Sequence, residues 1–392
     1  MKRYISPLIF LVLPGLALLT GCSADGNEPP MPEPDPTQSI VFGQAAASGG
    51  IDAQKQASTP SRSTLLNALP EGAQTRVYGY CVPLSVSLND DPASATLPWV
   101  QKANYSVPDV FPGSDTSEGN IAGTTLTVNN GRLKYDGTPK PWLTGSNLDA
   151  DAANYTFISH YPASGAFTYS RHAVAANSRT GAPRFTFTMP AAAATDHTAI
   201  PDAMVAAKFD HQKSDGQVHF TYRHILTALR FQINNYSAEE LTLTSIRLEG
   251  DFFNSAAFTF NTGEIVQTTA ATTFHGNWDL TPAAGSMTVA SNSGRPLGDG
   301  TRGTSVMLLP DPAITPSAGD DTDCLGSNKK LHVAYSIGTA QYTQDLDVKL
   351  LFKPAGGTSY ALNLNFVGNE FVIFFQPTDL WENGSDNGIV IN

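Results

Sequence analysis

The chain has 392 residues, of which only 15% are charged, and its formal net charge is -12. That length exceeds one ordinary hydrophobic core, so two domains of roughly 150 to 200 residues are predicted. An acidic chain is repelled by phosphate backbones, which excludes nucleic acid as a partner. Glycine (33) and proline (27) are abundant and long helix-forming runs are missing, which predicts an all-β fold with many turns.

The N-terminus has the features of an export and anchoring signal. Lys2 and Arg3 precede a short apolar run that ends in the lipobox-like stretch Leu18-Leu19-Thr20-Gly21-Cys22. Residues 1–21 are therefore predicted to be removed as a lipoprotein signal peptide, and Cys22 to be acylated and anchored in the outer membrane. Residues 22–38 form a Pro-rich acidic linker, which would hold the folded part off the membrane.

The strongest strand pattern lies at residues 216–235. Apolar side chains alternate with polar ones in two runs, at Val218, Phe220 and Tyr222 and then at Leu229, Phe231 and Ile233. This period of two predicts strands with one buried face. The phase slips between His224 and Ala228, which predicts a bulge or turn where the chain changes sheet or domain.

The first half begins with a short predicted strand, which consists of Ser39, Ile40, Val41 and Phe42. Residues 45–63 are small, polar and without periodicity, so they predict an exposed loop in which Lys55 and Arg62 are open to proteases. Farther along, Asn130-Gly131 stands between two alternating runs and predicts a tight hairpin. Residues 39–210 are assigned to a first sandwich domain and residues 211–392 to a second.

The second half contains six short apolar or alternating segments separated by turn residues. Such spacing is typical of a β-sandwich. These segments are Leu241 to Leu248, Ser305 to Leu309, Leu331 to Ile337, Leu346 to Phe352, Tyr360 to Phe366 and Phe371 to Phe375.

Several stretches, in this order and spacing, resemble the Bacteroidetes-type fimbrillin family. They are Arg62-Ser63-Thr64, Val77 to Tyr80, Leu133-Lys134-Tyr135-Asp136 with Trp142, Tyr155-Thr156-Phe157 leading to His160-Tyr161-Pro162, Asp202 to Ala206, Val218 to Asn235, and Trp381. The resemblance implies two transthyretin-like Greek-key β-sandwich domains in tandem and a fimbrial (pilus) subunit with no enzymatic activity. It also implies adhesion to a host or bacterial surface receptor.

The resemblance further implies assembly with other fimbrial subunits by donor-strand exchange. A protease cuts after an arginine or lysine behind the first strand, the strand departs, and a strand of the next subunit fills the groove. In this chain the removable strand would be residues 39–42 and the cut would follow Arg62, with Arg76 as the second choice. At the C-terminus Ile389, Val390 and Ile391 form a very short donor or simply finish the last sheet, so a tip or accessory subunit fits at least as well as a stalk subunit.

No motif indicates catalysis, a metal or a cofactor. GxSxG, HExxH and CxxC are absent, residues 298–303 match GxGxxG without the strand and helix that a dinucleotide site needs, and Asn147, Asp149 and Asp151 lack the glycine and glutamate of a calcium loop. Cys81 and Cys324 are expected to be buried thiols rather than a disulfide. The alternative function is a monomeric surface lipoprotein that binds a glycan or another ligand, for example through Trp99, Trp142, Trp278 or Trp381.

Overall fold

A computed structural model of the chain shows an all-β architecture. The residues it describes are 35–47, 68–84, 123–143, 150–171, 183–260, 266–267, 272–298, 305–311, 313–315, 322–350 and 356–378. Within these ranges there is no α-helix, only four short 3₁₀ turns at Ala150–Ala152, Ala191–Ala194, His197–Ala199 and Lys213–Asp215. The all-β prediction is confirmed.

The strands of the described chain are numbered in sequence order. The first eleven are β1 (Phe42–Ala47), β2 (Gln74–Pro83), β3 (Thr124–Asn129), β4 (Arg132–Tyr135), β5 (Ala153–Tyr161), β6 (Phe167–Arg171), β7 (Pro183–Thr188), β8 (Met204–His211), β9 (Val218–His224), β10 (Thr227–Asn235) and β11 (Leu241–Phe253). The others are β12 (Ser255–Thr259), β13 (Val266–Gln267), β14 (Thr273–Asp279), β15 (Met287–Val289), β16 (Ser293–Pro296), β17 (Ser305–Leu308), β18 (Thr322–Asp323), β19 (Gly326–Ile337), β20 (Ala340–Asp347), β21 (Ser359–Val367) and β22 (Glu370–Thr378).

Seven of the first nine strands close into a barrel in the order β1-β4-β3-β2-β5-β8-β9. The ends of the row meet because β1 pairs with both β4 and β9. Inward-facing apolar side chains fill the barrel, as the alternation along each strand predicts. They include Phe42, Val77, Leu126, Leu133, Phe157, Val218 and Phe220.

Three further sheets complete the fold. One has the order β16-β10-β21-β22 with β17 also on β10, one has the order β14-β11-β19-β18 with β15 and β20 attached, and one has the order β13-β12-β7-β6. The last of these joins the two halves of the sequence, because β7 pairs with β12 from Ser255↔Thr188 to Thr259↔Arg184. A single large core lies beneath these sheets and includes Tyr78, Phe185, Leu229, Phe252 and Trp278.

The central stretch is built as its alternation predicts. Strand β9 shows strict alternation of buried and exposed residues, and β10 begins after the break at Ile225-Leu226. The break is a change of sheet, since β9 closes the barrel while β10 pairs with β21. The predicted boundary between residues 210 and 211 lies within β8, and the change of sheet comes later, at residues 225–226.

Two other local predictions also have clear outcomes. The Asn130-Gly131 hairpin is confirmed, with both turn residues at positive φ between β3 and β4. The first strand is displaced: it runs over Phe42–Ala47, whereas Ser39 makes only an isolated bridge with Pro141. Residues 45–47 belong to the segment that its small, polar and aperiodic composition predicts to be loop, whereas in the structure they end β1, with Ala45 and Ala47 buried.

His160 on β5 is buried in an aromatic cluster at the base of the barrel. Its ring lies 4.7 Å from that of Phe167 and 4.8 Å from that of Phe185, and its Nδ1 donates a hydrogen bond to the carbonyl oxygen of Pro162 at 2.9 Å. Removal from water disfavours the charged imidazolium and lowers the pKa of His160 to about 3. The folded protein therefore holds His160 neutral.

This buried imidazole predicts acid sensitivity. Below the pKa of about 6.5 of an unfolded histidine, the unfolded chain binds a proton that folded His160 does not bind, so stability falls as pH drops from 6.5 towards 3. Between pH 7 and pH 5 we expect His160 to account for a loss of about 2 kcal/mol in the free energy of unfolding. Urea denaturation at both pH values measures it, and His160→Phe is expected to show a smaller loss. An equal loss in both proteins would contradict the assignment.

Candidate functional site: the first strand and its groove

Strand β1 is the piece that closes the barrel. It runs antiparallel to β4 and parallel to β9, where Phe42 is opposite Val218 and Ala47 is opposite Tyr222. We call the space that β1 fills between β4 and β9 the β1 groove. In the described chain β1 is the first strand in sequence order, and the polypeptide continues from it to β2 through residues 48–67.

The side chains of this segment complete the barrel core. Ile40 is 0% exposed and Phe42 is 3% exposed. The ring of Phe42 stacks on that of Phe220 at 5.8 Å and meets the edge of Phe157 at 5.7 Å. Burying an isoleucine or a phenylalanine stabilises a fold by about 1.5 to 3 kcal/mol each. Loss of this segment would leave an apolar cavity in the β1 groove.

Backbone hydrogen bonds hold the segment on both sides. The N–H of Ile40 donates to the carbonyl oxygen of Lys140 at 2.8 Å, the N–H of Val218 donates to that of Val41 at 2.8 Å, and the N–H of Ala45 donates to that of Gly131 at 3.3 Å. These bonds occupy groups of the neighbouring segments that would have no protein partner in an empty groove. Buried backbone groups need such partners, so an emptied groove would favour a new strand.

Two aromatic side chains add hydrogen bonds from outside the strand. The hydroxyl of Tyr135 donates to the carbonyl oxygen of Ile40 at 3.0 Å, and Nε1 of Trp142 donates to that of Pro36 at 2.9 Å. Burial raises the pKa of Tyr135 far above its usual value, so its hydroxyl stays protonated and remains a donor. Both residues belong to the stretch that resembles the fimbrillin family. The family resemblance singled out both residues but did not indicate that they bond the segment just before β1.

His219 supports an irregularity in the middle of β1. The pairing of β1 with β9 shifts register between Phe42 and Ala45, and there the N–H of Gln44 donates to Nδ1 of His219 at 3.0 Å. A Cβ on Gly43 would lie only 2.3 Å from Cε1 of the same ring. The imidazole therefore requires glycine at position 43 to reach Gln44. The alternation of residues 218–222 predicts His219 on the exposed face of β9, which the structure confirms, but it does not indicate the bond to Gln44.

The predicted processing residues lie in different parts of the chain. Cys22, Arg62, Ile389, Val390 and Ile391 lie outside the described residues. Arg76, the second choice for cleavage, lies within β2, which is paired with β3 and β5 on its two sides. Its Nε donates to the carbonyl oxygen of Ala163 at 3.2 Å. A protease needs an extended, accessible backbone, and this position does not provide one in the folded barrel.

The other candidate sites of the sequence are occupied by structural contacts. Trp142 and Trp278 are buried, at 4% and 0% exposure, so neither forms a sugar platform; Trp99 and Trp381 lie outside the described residues. Cys81 and Cys324 are both buried thiols, as expected. Asp151 of the calcium-like stretch forms an ion pair with Lys213 at 2.9 Å, and Asn147, Asp149 and residues 299–303 lie outside the described residues.

The described residues show neither a metal site nor a membrane-spanning helix. They contain no group of three or more histidine, cysteine, aspartate or glutamate side chains placed to hold a metal ion. Among the same residues, no helix has the length and apolar character needed to cross a membrane.

Several solved structures of bacterial proteins resemble this chain at low sequence identity. A candidate cell adhesion protein from Bacteroides ovatus ATCC 8483 has 15% identity and a TM-score of 0.44, with 88% of this chain and 99% of that chain covered. One from Bacteroides uniformis ATCC 8492 has 13% identity and a TM-score of 0.45, covering 88% and 100%. The tip fimbrial protein Mfa3 from Porphyromonas gingivalis, truncated at its C-terminus, has 9% identity and a TM-score of 0.35, covering 79% and 95%.

A sequence profile of a protein family, unlike these structures, matches the chain well enough to assign it. No curated protein matches the sequence. The sequence profile described as fimbrillin-like matches residues 110–376, which is more than half of the chain and includes β4, β9 and most of the strands of the larger core. The resemblance inferred from short motifs is confirmed by this match. The chain belongs to the fimbrillin-like family.

Proposed function

We propose that the protein is a fimbrial subunit, at the tip or as an accessory, which is exported as a lipoprotein and assembled by strand exchange for adhesion. Cys22 carries the lipid anchor that holds the precursor at the surface of the outer membrane. Cleavage after Arg62 detaches β1 from β2, and a strand of another subunit then enters the β1 groove. The protein performs no catalysis, and its partners are other subunits and a receptor on a host or bacterial surface.

The observation that carries this proposal is the place of β1 in the barrel. It is the first strand, it lies between two other strands, and it contributes buried side chains that no neighbouring strand can replace. Only the stretch that contains Arg62 connects it to β2. One cut there converts an internal strand into a separate peptide, and the exposed backbone and apolar pockets of the groove then favour another strand.

The C-terminal residues Ile389, Val390 and Ile391 form a short donor strand in this proposal. Three consecutive apolar residues in a strand can place two side chains, those of Ile389 and Ile391, in the groove. They fill less of it than Ile40, Phe42, Ala45 and Ala47 do. A short donor is sufficient for a subunit that accepts a strand and seldom gives one. This favours the tip or accessory position over the stalk.

The decisive test is the N-terminus of the protein recovered from cells. Intact mass and N-terminal sequencing are expected to give a terminus at Ser63, and the mature form is expected to run as ladders that resist mild detergent. The precursor treated with a small amount of trypsin should give the same terminus. A lipidated Cys22 terminus on a trypsin-resistant monomer would contradict strand exchange and favour a monomeric ligand-binding lipoprotein.

A further inference from the structure

The outward face of the sheet β10-β21-β22 differs from the other surfaces of the described chain. It carries four neutral amide side chains, Gln232, Asn234, Asn363 and Asn365, which we call the amide face. We propose that the amide face, with the aromatic and aliphatic side chains beside it, binds a neutral oligosaccharide. The β1 groove lies in the barrel, whereas this sheet covers the larger core.

The strand register brings the four amides together. Gln232 is opposite Asn363 and Asn234 is opposite Asn365 in the parallel pair β10 and β21. Nδ2 of Asn234 donates to Oδ1 of Asn365 at 2.8 Å, and Nε2 of Gln232 donates to Oδ1 of Asn234 at 3.4 Å. Each amide has two donor hydrogens and an oxygen with two lone pairs. The bonds between them fix their orientation and leave further donors and acceptors for a ligand.

Exposed apolar side chains border the amides on the same face. Phe374 is opposite Asn363 and Val372 is opposite Asn365 in the pair β21 and β22. They are 56% and 45% exposed. Six large apolar side chains are exposed in the described chain, and four of them (Tyr236, Val367, Val372 and Phe374) lie on β21, on β22 or directly after β10. Such a concentration is typical of an interaction site.

The chemistry of this surface matches a sugar. A pyranose ring offers an apolar face of C–H groups, which packs on an aromatic ring, and an edge of hydroxyl groups that both donate and accept hydrogen bonds. The amides supply both functions, and Phe374 supplies a flat aromatic surface. The four amides and the four exposed apolar residues are uncharged, and the alternation places one charge of each sign at the ends of the same face, Arg230 on β10 and Glu370 on β22. The face therefore has no net charge, and it fits a neutral glycan better than a sialylated or sulfated one.

The dimensions suit a short oligosaccharide. With a strand spacing of about 4.8 Å, the distance from Gln232 across β21 to Phe374 is about 10 Å. With a rise of about 3.3 Å per residue, Tyr236 lies about 13 Å along the strand from Gln232. Two aromatic side chains therefore stand at opposite corners of the amide face, with the hydrogen-bonding groups between them.

A contact at the edge of β22 favours binding on the face of the sheet over pairing at that edge. The side-chain amide of Gln344 bonds both the N–H of Phe371 at 2.8 Å and its carbonyl oxygen at 3.1 Å, so part of the free edge of β22 is already covered. Next to the amides, a Cβ on Gly294 would lie 2.2 Å from Oδ1 of Asn234. Glycine at this position keeps the space that the amide of Asn234 occupies.

The test uses the full chain, purified in mild detergent and applied to an array of immobilised neutral and sialylated oligosaccharides. We expect binding to at least one neutral oligosaccharide, and we expect Phe374→Ala and Asn363→Ala each to weaken it by about tenfold. Tyr342→Ala is the matched control, because Tyr342 is an exposed aromatic residue on β20 of another sheet. It should bind as the unchanged protein does, with the melting temperatures of all variants measured in parallel.

Several outcomes would overturn the inference. These are no binding to any neutral oligosaccharide, binding that Phe374→Ala and Asn363→Ala leave unchanged, or equal loss in Tyr342→Ala. Sedimentation showing a dimer that Phe374→Ala dissociates, without glycan binding, would instead identify the face as a contact between subunits. The inference adds a ligand to the proposed adhesion but does not rest on strand exchange, since a variant that stays uncleaved should still bind.

Discussion

Replacing Arg62 with alanine is expected to stop maturation and assembly together. The altered precursor should keep its acylated Cys22, because in the proposed maturation cleavage after residue 62 separates the anchor from the folded domain. It should also keep β1 in the barrel and run as a monomer, since the groove stays filled. N-terminal sequencing and denaturing gels of protein recovered from cells, compared with the unchanged chain, measure both effects.

The control for this variant is Arg76→Ala. Arg76 lies in a strand that is paired on both sides. Its replacement removes the hydrogen bond to Ala163 but should leave both the terminus at Ser63 and the ladders unchanged. If Arg62→Ala were still processed and Arg76→Ala were not, the cleavage site would be Arg76, and the barrel would have to open before the protease acts. If neither change affected the terminus, the proposal of arginine-directed maturation would be wrong.

Phe42→Ala is expected to destabilise the precursor but not the mature subunit. Phe42 is 3% exposed and packs against Phe220, Phe157 and Tyr135. Its truncation should lower the free energy of unfolding of the precursor by about 3 to 5 kcal/mol, as for other buried phenylalanines. If β1 leaves and a donor strand occupies the groove of the mature subunit, as proposed, the same change should have no effect there. Urea denaturation of both forms measures the difference.

Phe220→Ala provides the comparison for this experiment. Phe220 lies on β9, where its ring stacks on that of Phe42 in the neighbouring β1, and it is 1% exposed. Because β9 remains in the mature subunit, this change should destabilise both forms. Mature protein that is equally weakened by Phe42→Ala would show that β1 never leaves the barrel.

The local part of the fold could be predicted from the sequence, because it depends on neighbouring residues. Alternation predicted β9 and β10, and the Asn-Gly pair predicted the turn between β3 and β4. The limits of β1 could not be predicted in this way. Ala45 to Ala47 begin a small, polar segment without periodicity, and alanine has a low strand propensity. Their place in a strand follows from pairing with the distant β9, which no local pattern indicates.

The long-range part could not be read from the sequence. Nothing in β7 indicates that it pairs with β12, some 70 residues later, or that β9 closes the barrel against β1. His219 illustrates the same limit for the site. Its alternation placed it correctly on the exposed face of β9, but its bond to Gln44 depends on a register shift that only the paired strands reveal.

The sheet shared by β7 and β12 also has a mechanical consequence. In the proposed fibre, a subunit that binds a partner in the β1 groove and a ligand on the amide face would be pulled from both of these places. Both strands contribute side chains to the larger core, and five residue pairs in register join them, from Ser255↔Thr188 to Thr259↔Arg184. Tension directed along these strands would load their hydrogen bonds together, in shear, whereas tension across them would break the bonds one after another. We therefore expect this link between the two halves of the sequence to resist tension best along β7.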